Sequence, residues 1–248
     1  EPESSTPAPA LRVGPILNGD HNTDDIKEQV TNYIDEVYTI LNKYIKKYPP
    51  QWHNEEIKIT YKSMDTNTLG EADWYNKEIT LNLNNTGEHF INGESYNVNV
   101  VTLLHEILHI FGLVGVGEHV QQFIEKRNED KITIYKGENG VKGYNYMVNT
   151  YLDASFNTEY IPLEQHHGYG TKDFHTEEGY NEHFEISRII IDDKHYPALK
   201  NGIMSGFLDF ISFITPITLG MLEDLGFEVN YEESKSIIEN YKKNLIWI

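Results

Sequence analysis

Val98-Asn99-Val100-Val101-Thr102-Leu103-Leu104-His105-Glu106-Ile107-Leu108-His109-Ile110-Phe111-Gly112 is the stretch on which the reading of this chain turns. Val100, Val101, Leu103, Leu104, Ile107, Leu108, Ile110 and Phe111 leave a helix here almost no polar face, the pattern of a helix buried in a core. Gly112 suits the residue just past the end of such a helix. Within it, His105 and His109 stand one turn apart on the same face, and Glu106 projects beside them. Burying two imidazoles and a carboxyl group without partners costs several kcal/mol. A shared metal ion resolves that cost, and histidine ligation suits zinc best among the abundant ions.

The chain around this stretch has 248 residues, enough for one large domain or for a domain split into two lobes by a cleft. Its formal charge of -19, from 39 acidic and 20 basic residues, repels phosphate backbones and anionic bilayers, so nucleic acid and membrane surfaces are not expected partners. With a mean hydropathy of -0.53 it holds no apolar run long enough to span a bilayer. The absence of cysteine removes disulfides, thiolate ligands and thiol nucleophiles together, leaving His, Asp and Glu as the available metal ligands. No calcium loop of the EF-hand type occurs. Glu1-Pro2-Glu3 opens the chain without an initiator Met or a basic-then-apolar signal, as in a processed product.

Outward from the histidine helix, residues 1–22 are rich in Pro, Ser, Asn and Gly and read as a disordered leader. From Thr23, Ile26, Val30, Ile34, Val37, Leu41 and Ile45 form one helical stripe that stops before Pro49-Pro50. Short β-like runs follow at Ile57 to Tyr61, Leu69 to Trp74 and Glu78 to Leu83 and suggest a small twisted sheet. Beyond the helix, Glu118 to Arg127 and Tyr144 to Asp153 read as helical, and Thr158 to Gly206 as long, His-rich and irregular. Two helices close the chain, from Pro216 to Leu225 and from Glu232 to Asn244.

A catalytic zinc needs a third protein ligand. The local pattern His105-Glu106-x-x-His109-x-x-Gly112 is that of metzincins, but Gly115 stands where their third histidine would follow, so the third ligand must come from farther along. The chain resembles the leishmanolysin family, metzincins in which an insertion separates the helix glycine from the third histidine. The similar passages are Ile161-Pro162-Leu163-Glu164 with Gly168-Tyr169-Gly170-Thr171-Lys172-Asp173-Phe174-His175-Thr176-Glu177, then Asn201-Gly202-Ile203-Met204-Ser205-Gly206, then Pro216-Ile217-Thr218-Leu219 with Leu222-Glu223-Asp224-Leu225-Gly226-Phe227. The resemblance covers about residues 69 to 231. It implies His175 as third ligand, Gly112 as the turn glycine and Met204 as the Met-turn methionine that supports the site without coordinating. It departs from the family at Thr176, which replaces Trp, in the longer gap from His175 to Met204, and in the missing cysteine framework. The longer gap makes His195 a rival third ligand, with His119, Glu118, Glu125 and His183 also of ligand type.

The expectation is thus an α+β zincin of metzincin type. Residues 23–113 would form an N-terminal lobe with a mixed twisted sheet, a backing helix and the active-site helix. Residues 114–248 would form an irregular C-terminal lobe that supplies the third ligand and the Met-turn, within one catalytic domain. The resemblance implies a secreted zinc endopeptidase acting on proteins or peptides, with zinc-activated water attacking the peptide bond and Glu106 as general base, and a monomer is expected. Substrate would lie along an edge strand at Leu69 to Trp74. Two other readings stand beside it: a gluzincin with Glu118 or Glu125 as third ligand, and a zinc-stabilised binding or adhesion protein without hydrolysis.

Overall fold

The first strand, β1 (Ala10–Leu17), lies inside the segment expected to be a disordered leader. It pairs in parallel with β3 (Glu56–Lys62) from Ala10↔Glu56 to Leu17↔Lys62, with an irregularity between Val13 and Ile16 around Gly14-Pro15. The Tyr38 hydroxyl pins its start, accepting the Leu11 N–H at 2.8 Å and donating to the Pro9 carbonyl at 2.7 Å. No local pattern marks this strand, because its parallel partner lies 45 to 46 residues on in sequence, and prolines at an edge strand are tolerated. The computed structural model describes residues 8–17, 23–65, 67–82, 84–114, 118–127, 132–152, 155–165, 172–173, 175–177, 189–208, 211–241 and 246–247.

Helix α1 (Thr23–Tyr44) buries Val30, Ile34, Val37 and Leu41, the stripe its periodicity sets out, and runs directly into β2 (Ile45–Lys47). After β3 come β4 (Gly70–Asp73) and β5 (Glu78–Asn82), giving a four-stranded sheet ordered β1-β3-β5-β4. The first three strands are parallel and β4 is antiparallel at the edge. Ile57, Ile59, Ile79 and Leu81 bury one face of the sheet completely or nearly so. The other face carries polar pairs, Lys58 with Glu78 at 3.1 Å and Thr60 with Glu78 at 2.6 Å. One apolar face calls for a helical layer, and α1 and α2 (Val98–Phe111) supply it, α2 packing on β4 and β5. In the chain, β5 and α2 are joined by the hairpin of β6 (Glu88–Ile91) and β7 (Glu94–Asn97), turned by Asn92-Gly93 at positive φ of 53° and 90°.

The second half is less irregular than its sequence suggests. The helix expected over Glu118 to Arg127 is only α3 (Glu118–Gln121), and Ile124–Arg127 instead forms β8, paired antiparallel with β9 (Ile132–Tyr135). Helix α4 (Glu138–Leu152) begins well before Tyr144. The expected irregular stretch contains β10 (Ile161–Pro162) on β9, the hairpin of β11 (Ile189–Ile191) and β12 (Lys194–Tyr196), and β13 (Ala198–Leu199). Then β14 (Ile211–Ser212) adds in parallel to β6, and α5 (Pro216–Asp224) starts with Thr215 as N-cap and Pro216 in the first turn. Strand β15 (Glu228–Val229) returns to β2, α6 (Glu232–Tyr241) follows, and β16 (Ile246–Trp247) lies on β13. Helices α4 and α5 meet backbone to backbone, because Gly143 faces the Pro216 carbonyl and Gly220 faces the Asn139 carbonyl. The architecture is mixed α+β, and among the described residues no helix is long and apolar enough to cross a membrane.

Candidate metal centre

Helix α2 starts where the Asn97 side chain accepts the Asn99 N–H at 2.9 Å and ends at Gly112, whose φ of 105° is left-handed. At that end the Leu113 N–H reaches the Leu108 carbonyl at 3.0 Å, the closing bond of a Schellman turn. The turn folds the chain back so that the Leu113 carbonyl accepts from His109 Nδ1 at 3.2 Å. One turn earlier on the same face, His105 Nδ1 donates to the Ile203 carbonyl at 2.6 Å.

Those two carbonyls decide the chemistry. A neutral imidazole carries one N–H, and a carbonyl can only accept, so the outer nitrogen of each ring holds the proton and Nε2 presents a bare lone pair. The Nε2 atoms of His105 and His109 face each other at 3.0 Å. His175 completes a triangle, its Nε2 lying 3.1 Å from that of His105 and 3.2 Å from that of His109. Burial pushes the pKa of both His105 and His109 down, that of His109 the further because His105 and His175 stand beside it, so added protons are a poor remedy for the facing lone pairs. A cation at the centre is the remedy that fits. Two nitrogens each about 2.0–2.1 Å from one tetrahedral ion lie roughly 3.3 Å apart, close to the observed triangle. These histidines are the group among the described residues that could hold a metal ion, His109 and His175 buried and His105 half-buried.

His175 arrives from a segment threaded between two supports. On one side its carbonyl accepts the Glu164 N–H at 3.0 Å, Leu163 and Thr176 form a β-bridge, and the Glu177 N–H points to the Pro162 carbonyl. On the other, the Thr176 N–H and hydroxyl both donate to the Met204 carbonyl, at 3.2 and 3.3 Å. Met204 sits in a tight turn closed by the Ser205 N–H on the Gly202 carbonyl, and Ile203 in that turn is the residue that accepts from His105. The same turn therefore supports a histidine from α2 and the histidine from the distant segment. The Met204 side chain is buried and, with Met147, Met221 and Thr176, walls a small apolar cavity.

Glu106 is buried beside the triangle, 7% exposed, where β4 passes over α2. Desolvation first, and the negative charge of Glu71 on β4 second, push its carboxyl group up to about 8. Such a group exchanges protons near neutral pH.

The other candidates lie elsewhere. His195 is exposed on β12, opposite Ile190 in the hairpin, and does not join the triangle. Glu125 is exposed on β8 and paired with Lys136. The side chains of Glu118 and His119, and all of His183, lie outside the described residues. Sequence reasoning missed the two carbonyl acceptors, for which no side-chain signal exists, and the approach of Gly70 and Glu71 to Glu106, for which a lone glycine in a strand was the available signal. No model of a known protein family matches the chain, and no curated protein matches it.

Proposed function

We propose that the chain is a zinc-dependent endopeptidase in which His105, His109 and His175 hold the metal and Glu106 is the general base. The observation that carries this reading is the convergence of three Nε2 atoms within 3.2 Å of one another, two of them with their lone pairs fixed inward, and a buried carboxyl group on the residue after His105 in the same helix. Zinc in such a site acts as a Lewis acid and lowers the pKa of bound water to about 7.

The chain's own residues supply the rest. The Ile203 and Leu113 carbonyls hold two imidazoles with their lone pairs inward, so the ligands need no reorientation. Glu106 would accept a proton from the attacking water and deliver it to the departing amine. Strand β4 is the antiparallel edge of the sheet and lies directly over Glu106, so an extended peptide that pairs with it would bring its backbone past the site. The likeness to leishmanolysin-type metzincins supports the same assignment, with Met204 in the supporting turn, and an extracellular setting belongs to this proposal.

Digestion of casein by the wild type and by Glu106→Ala, with metal content measured on both, is the test. Hydrolysis by the metal-loaded wild type and its loss in the variant, metal retained, is expected. Hydrolysis that survives the substitution refutes the assigned base, and an inactive, metal-loaded wild type refutes the protease in favour of a zinc-stabilised binding protein.

A further inference from the structure

Strand β4 reaches α2 most closely at Gly70. A Cβ placed on Gly70 would stand 2.7 Å from Thr102 Cγ2, 3.2 Å from Glu106 Cγ and 3.3 Å from Glu106 Oε1. Ala72, two residues along the same face of the strand, keeps its methyl group against the core. The need for a bare backbone is thus confined to the position over Glu106.

The need is specific for a second reason. Among the described residues, no hydrogen bond orients the Glu106 carboxyl group, and what surrounds it is packing and the charge of Glu71. A glutamate side chain has three rotatable bonds, and without a hydrogen bond only contact surfaces select among its rotamers. Thr102, one turn back on α2, is itself fixed by its hydroxyl donating to the Val98 carbonyl at 2.9 Å, so its methyl group cannot swing aside without losing that bond. The Glu106 side chain is then bounded by the helix on one side and by the bare Gly70 backbone on the other.

We propose that Gly70 is a positioning residue, whose missing side chain lets β4 close on α2 and hold the Glu106 carboxyl group in its working rotamer. The catalytic consequence rests on the reading of Glu106 as the base, whereas the contact itself does not. An added methyl group would displace β4 or turn Glu106 away from the histidines, and misplacement of a catalytic group by about 1 Å costs on the order of 100-fold in rate. The three histidines are untouched by either movement.

The experiment places Gly70→Ala in the wild type, in Glu106→Ala and in Thr102→Ser, and measures bound zinc, melting temperature of the metal-free protein, and kcat and KM on a peptide. The expected result in the wild-type background is one zinc per chain, a lowered melting temperature and kcat reduced about 100-fold with little change in KM. In the Glu106→Ala background the added methyl group should cost less stability, because one of the two side chains it meets is gone while Thr102 remains. Thr102→Ser removes only Cγ2, so it should recover stability without recovering kcat. If Gly70→Ala alone does not fold, the double variant with Thr102→Ser supplies the zinc and kcat measurements. Strict additivity with Glu106→Ala, together with full recovery of kcat by Thr102→Ser, would reduce Gly70 to strand–helix packing and overturn the proposal. Stability coupling in a wild type that hydrolyses nothing would leave the contact standing and sink the protease reading instead.

Discussion

The carboxylate of Asp224, the last residue of α5, accepts the backbone N–H groups of Asn139 at 2.8 Å and Gly140 at 2.9 Å, so one helix ends by capping the start of another. It also accepts the hydroxyl of the buried Tyr135 at 2.9 Å. Asp224→Ala removes a cap and strands a buried donor at once. A loss of about 2 kcal/mol is expected, read as a lower urea midpoint with an unchanged slope. Asp224→Asn, which keeps an acceptor, should lose less.

Gly220 marks the closest approach of the same two helices. A Cβ there would lie 2.2 Å from the Asn139 carbonyl oxygen, which is backbone and cannot rotate away. Gly220→Ala should cost roughly 2–3 kcal/mol by forcing α4 and α5 apart. At Gly202 the nearest atom to an added Cβ is Ser205 Oγ at 3.6 Å, so Gly202→Ala should stay within about 0.5 kcal/mol of the wild type in the same denaturation series.

Metal removal tests the triangle independently of any activity. With a chelator present, facing lone pairs remain in the site, and unfolding should move to lower temperature and return on adding zinc. At saturating metal the difference should reach about 3–4 kcal/mol. His175→Ala should lose the metal after dialysis, measured per chain by elemental analysis. His195→Ala should retain it, since that imidazole is exposed on β12.

His89 gives the pH dependence. Burial holds its imidazolium down at about 4, with Nε2 on the Ser212 hydroxyl at 3.0 Å. The folded state therefore takes up the proton later than the unfolded chain, whose histidine titrates near its ordinary 6.5. The stabilising contribution is complete above pH 6.5 and is lost as pH falls from there toward 4. Comparison of wild type with His89→Asn should show the wild type losing on the order of 2 kcal/mol more over that window. Parallel stability curves for the two proteins between those limits would remove His89 from the account.

How much could be read in advance varies along the chain for identifiable reasons. Helix α2 was legible because apolar density, a glycine terminator and His-x-x-x-His spacing agree locally, and α5 because Thr215, Pro216 and Gly226 punctuate it. His175 was reachable only through resemblance, since nothing within a few residues of it says what it faces. Strand β1 was hidden by Pro9 and Pro15 and by a partner far along the chain. The β6–β7 hairpin carries its signal only in the turn, Asn92-Gly93, because each of its strands is just four residues long. In Ile124–Arg127 the spacing of Val120, Phe123, Ile124 and Arg127 fits a helical period as well as a strand, and only β9 settles the choice.

The backbone groups along an edge strand such as β4 can pair with any extended chain, a second copy of the same protein included. Along β4 the exposed residues are Glu71 and Asp73. Two such strands laid antiparallel would set carboxylates of one molecule against those of the next, and that repulsion discourages the sheet from growing across molecules. The acidity of this rim therefore disfavours edge-to-edge pairing of two copies of β4, the border of the main sheet that passes over Glu106.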